Sequence, residues 1–211
     1  MITDKLYREY LDLLLKGDRS QCTRIVKTLL EQEIDIKDLY LELFQTSLYD
    51  VGALWESNKI SVAREHLATA ITEGLLNLVY PDLFSEGDKA KTAVISCTAN
   101  EYHQVGGKIV ADFCELNGWN AHFLGANTPF DQLLSFIDEI RPDLVGLSMS
   151  IHSHLPRLKE GIDAIRSEYP RLDLIVGGQG FRNGISGELA PDGNIAYVRD
   201  LDELERILRY G

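Results

Sequence analysis

The chain has 211 residues, 45% of them hydrophobic and 26% charged, which is enough apolar material for one large core or two smaller ones. With 33 Asp and Glu against 21 Lys and Arg, the formal net charge of -12 repels phosphate backbones and anionic lipid, excluding direct nucleic-acid or membrane binding as an expectation. No apolar run approaches the ~20 residues that span a bilayer, and the first residues lack the basic-then-apolar layout of a signal peptide. Three cysteines, Cys22, Cys97 and Cys114, stand in no CxxC spacing and suit neither a disulfide framework nor zinc, so the reading is a cytoplasmic globular protein.

Residues 3–84 read as helices only. Leu6, Tyr10, Leu13 and Leu14 recur at helical intervals, as do Ile25, Leu29 and Ile34. Gly17-Asp18-Arg19-Ser20 separates the first two helices, with Asp18 or Ser20 as the N-cap. A third helix is expected from Ile36 to Trp55. After the polar break at Ser57-Asn58-Lys59, Ser61 caps a fourth that continues to Tyr80. Four helices with short connections predict an up-down four-helix bundle.

The stretch Pro81–Lys89 holds a proline, a glycine and several charges, so a linker is placed at 85–90, between a cap bundle (1–84) and a second domain (91–211). Beyond it, five apolar runs alternate with amphipathic segments. The runs are Ala93–Cys97, Ala121–Leu124, Leu144–Ser148, Leu174–Val176 and Ile195–Val198. The amphipathic segments lie near 104–117, 129–140, 154–168 and 200–209, with a shorter one around Gly184–Leu189. This alternation predicts an α/β domain: a five-stranded parallel sheet, flavodoxin-like, covered on both faces. Its ligand is expected beyond the carboxyl ends of the strands.

The loop after the first run reads Thr98-Ala99-Asn100-Glu101-Tyr102-His103-Gln104-Val105-Gly106-Gly107. In extended backbone, residues two apart share a side, so Glu101 can accept the Nδ1 proton of His103 and leave Nε2 to face a metal. Gly106-Gly107 omits two side chains where the chain enters a helix, allowing a bulky ligand to approach. The alternative is a histidine that caps or packs at the strand end, beside glycines that merely permit a turn.

Glu101-x-His103-x-x-Gly106 is followed after 41 intervening residues by Ser148-Met149-Ser150, and after 26 more by Gly177-Gly178. This resembles the signature of the base-off, His-on cobalamin-binding proteins: Asp-x-His-x-x-Gly, then Ser-x-Leu, then Gly-Gly. The resemblance implies that His103 replaces the cofactor's own base as lower axial cobalt ligand. It also implies that the displaced nucleotide tail enters a slot lined by Ser148, Ser150, Gly177 and Gly178. Glu101 stands where that family has Asp, and Ser150 where it has Leu. His154, six residues after Ser148, stands where methionine synthase has a serine completing the ligand relay.

In the helical half, nine residues separate Trp55 from Glu65-His66, so an aromatic plane, a carboxylate and an imidazole can meet at one end of the bundle. The alternative is a core tryptophan with a surface acid–histidine pair. Trp-x9-Glu-His resembles the cap of CarH-type photoreceptors, which hold adenosylcobalamin in the dark and respond when light cuts the Co–C bond. In those proteins a histidine follows the tryptophan and becomes the upper ligand after photolysis; here that position is Glu56, with His66 as a possible substitute. CarH repressors also carry a helix-turn-helix domain, and no segment of this acidic sequence is expected to play that role. The resemblance therefore implies a cobalamin sensor acting through a protein partner, as a homo-oligomer. Adenosylcobalamin is the favoured form, with methylcobalamin and hydroxocobalamin as alternatives. The rival reading is a corrinoid methyl carrier serving a methyltransferase.

His152 and His154 form a His-x-His pair read as pocket-lining or surface residues, since no third ligand is nearby. Cys97 and Cys114 sit in apolar runs as packing residues. A phospho-receiver would need clustered aspartates where Cys97, Asn100 and Ser148 stand. An FMN phosphate loop would need a glycine among Thr98-Ala99-Asn100.

Overall fold

A computed structural model describes residues 2–83, 91–181 and 194–210, which fall into two compact units dividing between Leu83 and Phe84. The segments expected as linker (85–90) and as a short crossover (184–189) lie outside the described residues.

The first unit is helical: α1 (Asp4–Lys16), α2 (Arg19–Glu31), α3 (Ile36–Asp38), a π-helix (Leu39–Gln45), α4 (Thr46–Glu56) and α5 (Val62–Val79). Side-chain oxygens start the helices. Thr3 accepts from the Leu6 N–H, Asp18 from Gln21, Asp35 from Lys37 and Ser61 from Arg64, each cap contributing about 1 kcal/mol. Gly17 ends α1 at φ 79, and a side chain there would run into Leu67 of α5. Tyr10, Leu14, Cys22, Val26, Leu43, Phe44, Val51, Ile71 and Leu76 are buried among these helices. The single third helix expected from Ile36 to Trp55 is instead three consecutive segments. In the middle one the turn widens, and the Thr46 hydroxyl donates to the Leu41 carbonyl five residues back at 2.8 Å.

The second unit is a five-stranded parallel sheet of order β2-β1-β3-β4-β5, the flavodoxin-like arrangement. Its strands are β1 (Thr92–Cys97), β2 (Asn120–Phe123), β3 (Leu144–Ser148), β4 (Asp173–Gly177) and β5 (Ile195–Val198). The helices are α6 (Val105–Leu116), α7 (Phe130–Ile140), α8 (Leu155–Glu168) and α9 (Leu201–Tyr210). Leu133 and Ile137 of α7 and Leu158, Ile162 and Ile165 of α8 pack on Val94, Val145, Leu147 and Val176. On the other face α6 and α9 pack together, and the buried Trp119 indole donates to the Leu208 carbonyl at 3.2 Å. Gly146 lets Ile95 and Ile175 close over it, and Gly161 admits the Phe130 ring. Burial of both faces explains why the inner strands β1, β3 and β4 are largely apolar, whereas the edge strands β2 and β5 are only partly buried and β2 carries Asn120 and His122.

Candidate functional site

Cys97, Ser148, Gly177 and Val198 lie side by side in the strand register, forming a row at the carboxyl end of β1, β3, β4 and β5. The sheet reverses direction of build between β1 and β3, which is where a doubly wound fold opens a ligand crevice. The loops leaving these two strands are stitched together there.

Glu101 is the stitch. It is fully buried, and each carboxylate oxygen is saturated. Oε1 accepts the His103 backbone N–H at 2.9 Å and lies 2.6 Å from His103 Nδ1. Oε2 accepts the consecutive Ser150 and Ile151 amides at 2.9 and 3.0 Å and lies 3.1 Å from His154 Nδ1. Two adjacent amides converging on one oxygen form an anion nest. Burial pushes the Glu101 carboxyl up. The hydrogen bonds from the His103 ring and from the His103, Ser150 and Ile151 amides more than offset this and hold it at about 2. Glu101 is therefore an anion between two imidazoles, and its charge fixes a proton on Nδ1 of His103.

The backbone of the loop is pinned too. The Glu101 N–H donates to the Thr98 carbonyl and the Thr98 N–H to the Ser148 carbonyl, both at 2.9 Å. From the neighbouring β2 loop, the Asn127 side chain accepts the Asn100 N–H at 2.8 Å, and the Asn127 N–H donates to the Glu101 carbonyl at 3.0 Å. Asn100 and Asn127 both take left-handed backbone (φ 69 and 53), which asparagine tolerates better than most residues. The Thr98 hydroxyl is buried with no hydrogen-bond partner among the described residues.

The glycines divide. Gly106 is exposed, and among the described residues a side chain there would meet only the Ser148 hydroxyl at 3.9 Å, so it leaves room beside the loop. Gly107, expected to make room for a ligand, is buried, and its missing side chain admits Phe123 and Cys97. Gly177 and Gly178 were expected to open a slot. A Cβ on Gly177 would lie 2.9 Å from the Val198 carbonyl, and one on Gly178, at φ +110, 2.4 Å from that of Met149. The space they leave is taken by main chain, because the β3 loop and β5 close against them. Ser148 is buried at its strand end and Ser150 half-buried, its amide on Glu101.

In the helical unit, Trp55 sits in the last turn of α4, and Glu65 and His66 in the first turn of α5. Trp55 is 37% exposed and so is not a core tryptophan. Glu65 accepts the Thr69 hydroxyl at 2.9 Å and lies 3.6 Å from the exposed His66 ring. Glu56 is exposed. Val62 and Leu67, also exposed, add to an apolar surface on these two turns.

Of the pair expected as pocket-lining or surface histidines, His154 contacts Glu101 and His152 is exposed. The Ser150–Ile151 amide nest and the Asn127 stitch are legible only in three dimensions. All three cysteines are buried thiols, and burial pushes Cys97 and Cys114 up to about 12 and Cys22 to about 11. Among the described residues, no group of three or more His, Cys, Asp or Glu is placed to hold a metal ion. No helix among them is long and apolar enough to cross a membrane.

Comparison with known proteins bears on this arrangement directly. The repressor CarA of Myxococcus xanthus, an HTH-type transcriptional repressor, is 32% identical over 126 residues, covering 59% of this chain and 43% of its own. The chain thus spans less than half the length of that relative. Dimethylamine corrinoid protein 1 of Methanosarcina acetivorans is 26% identical over 152 residues, covering 69% of this chain and 70% of its own. The monomethylamine corrinoid protein of Methanosarcina barkeri superposes with a TM-score of 0.79 at 16% identity, covering 94% of each chain, and so shares the fold. Two family models, each described as a B12 binding domain, match residues 6–80 and 91–198. The chain belongs to the B12-binding domain family, and cobalamin is its cofactor.

Proposed function

We propose that the chain holds cobalamin base-off, with His103 as the lower axial cobalt ligand, and acts as a light- or cobalamin-responsive regulatory module that signals through a protein partner. The observation that carries the reading is the Glu101–His103 pair, 2.6 Å apart around Nδ1. Coordination then falls to Nε2, on a side chain 46% exposed. The residues present suit the cofactor. A single imidazole without two further protein ligands holds a metal only when that metal brings its other ligands, as a corrin does. The buried, unpartnered Thr98 hydroxyl and the open side of Gly106 are what a site awaiting a bulky polar ligand presents. Ser148, Ser150 and the main chain of Gly177–Gly178 border the same strand ends.

Adenosylcobalamin, when bound, supplies a cobalt–carbon bond that visible light breaks. The exposed Trp55 with Glu65 and His66 favours this larger upper group, because an aromatic plane beside a carboxylate and an imidazole can both cover and hydrogen-bond it. With Glu56 in place of a histidine after Trp55, the light product is expected to lack the spectrum of a bis-imidazole complex, since a carboxylate is the poorer ligand for low-spin Co(III). The second reading, a corrinoid methyl carrier for a methyltransferase, is favoured by the match along 94% of the chain to the fold of a corrinoid protein.

The test is to reconstitute the protein with adenosylcobalamin in the dark and record spectra and size-exclusion profiles before and after green light. The expected results are a His-on spectrum that His103→Ala abolishes, and a change of assembly on illumination. A colourless protein, or an unaltered spectrum in His103→Ala, overturns the binding mode. Methyl exchange with a methyltransferase, and no light response, overturns the sensor in favour of the carrier.

A further inference from the structure

Asp50, Ala53, Leu54 and Ser57 recur at three- and four-residue intervals along α4 and its C-cap, and so share one face. With Leu11 of α1 and with Lys59 they line a depression of about 240 Å³. Lys59 is brought there by the way the helix ends. Its N–H donates to the Leu54 carbonyl and the Asn58 N–H to that of Trp55, both at 2.9 Å, with Asn58 in left-handed backbone at φ 55. This Schellman closure folds Lys59 back beside Leu54. The depression has a floor of half-buried Leu11 and Leu54 and exposed Ala53, with a carboxylate toward one end and an ammonium toward the other. The two charges do not pair with each other. Asp50 accepts the Tyr7 hydroxyl at 2.6 Å, and among the described residues neither Asp50 nor Lys59 has an ion-pair partner.

We propose that this face is a two-fold interface with a second copy of this chain. Asp50 lies four residues before Leu54 and Lys59 five after it, so a half-turn about an axis through Leu54 exchanges the two charges. Two copies of α4 packed antiparallel, at about 8–10 Å between axes, set each Lys59 ammonium against the partner's Asp50 and bring the two Leu54 side chains together at the axis. The alkyl stem of Lys59 then lies across the partner's Ala53 and fills the depression, as long cationic side chains cover apolar surface while their charge stays outside. Such an isologous contact needs only one kind of surface. A partner of a single charge sign would leave Asp50 or Lys59 facing its like. The formal charge of -12 opposes the meeting of two copies at most faces, whereas here each acid meets a base.

The contact is independent of how cobalamin is held, so the test is sedimentation equilibrium of the full chain in the dark, with and without cobalamin. The wild type is expected to show a micromolar monomer–dimer equilibrium, as suits a small contact. Asp50→Asn keeps an oxygen for the Tyr7 hydroxyl and should weaken the dimer by about tenfold, since each change counts twice across a two-fold axis. Lys59→Glu sets two pairs of like charges together and should weaken it by about thirtyfold or more. Asp50→Lys combined with Lys59→Glu exchanges the charges and should bring the dissociation constant back to within about threefold of the wild type. Ala53→Cys, beside the axis, should give a disulfide-linked dimer under mild oxidation, but not together with Lys59→Glu; the chain's own three cysteines are buried. A chain that stays monomeric into the millimolar range overturns the proposal and leaves the face to a different protein. A dimer that Lys59→Glu leaves intact, or a charge exchange without recovery, overturns it as well.

Discussion

Replacing Glu101 by glutamine removes the charge at the centre of the site while keeping its shape. A carboxyl held at about 2 rather than its ordinary 4.5 contributes ~3 kcal/mol of folding free energy at neutral pH, at about 1.4 kcal/mol per tenfold. The sign follows from the depressed value: the contribution is complete above 4.5 and is lost as pH falls toward 2. Hydrogen bonding gives the same size. Whichever way the amide is turned, its NH2 must face either the His103 N–H or the paired Ser150 and Ile151 amides. At least one buried backbone donor is then unsatisfied, at about 1–3 kcal/mol. Urea unfolding followed through buried Trp119, in a Trp55→Phe background so that only the second unit is read, should show Glu101→Gln destabilised by ~3 kcal/mol at pH 7. The gap to the parent should close as pH falls from 4.5 toward 2. A loss under ~1 kcal/mol at pH 7, or a gap that persists in acid, refutes the reasoning.

Gly178→Ala puts a methyl 2.4 Å from the Met149 carbonyl at φ +110, and should cost the second unit about 3 kcal/mol or more in the same unfolding assay. Asn127→Ala removes the acceptor of the Asn100 N–H and leaves an alanine at φ 53; amide exchange at Asn100 should accelerate by at least about tenfold, corresponding to ~1.4 kcal/mol of lost local stability. Asp18→Ala, read through Trp55, should lower the stability of the helical unit by about 1 kcal/mol and leave the Trp119 transition where it was.

The sheet was legible in the sequence because inner strands buried on both faces cannot hide their composition, and the five runs match β1 to β5 within a residue or two, although the edge strands β2 and β5 are only partly buried. Helix starts were legible where a short polar side chain preceded an apolar period, as at Asp18 and Ser61. The π-helix was not, because apolar positions 39, 40, 43 and 44 suit a wider turn as well as one of 3.6 residues. The Glu101–His103 pair could be foreseen from a two-residue spacing in extended backbone. The Ser150 and Ile151 amides could not, because 49 and 50 residues separate them from Glu101, whereas His154 was marked only by the family resemblance, as the residue standing where the ligand relay has its serine. Main-chain donors also leave no mark on composition. The glycines were half legible for a related reason: spacing fixes where a side chain is missing, whereas only packing shows what lies against the gap, Phe123 and Cys97 at Gly107 and the Met149 main chain at Gly178.

The glutamate at position 101, where the family pattern has aspartate, follows from the span it has to bridge. Its backbone is held from both sides, the N–H by the Thr98 carbonyl and the carbonyl by the Asn127 N–H, so the Cα cannot advance. From that fixed point one oxygen must come within 2.6 Å of His103 Nδ1 while the other reaches the Ser150 and Ile151 amides of the next loop. Shortening the arm by one methylene withdraws the carboxylate by about 1.5 Å, more than those bonds can stretch and survive. Glu101→Asp must therefore give up one side. The nest has two main-chain donors and cannot turn to follow, whereas the half-exposed His103 ring can. The loss should fall on the amide nest, with destabilisation of about 2 kcal/mol and faster amide exchange at Ser150 and Ile151, while the cobalamin spectrum stays His-on. Wild-type exchange at both amides in Glu101→Asp would show that the longer side chain is not what ties these loops together.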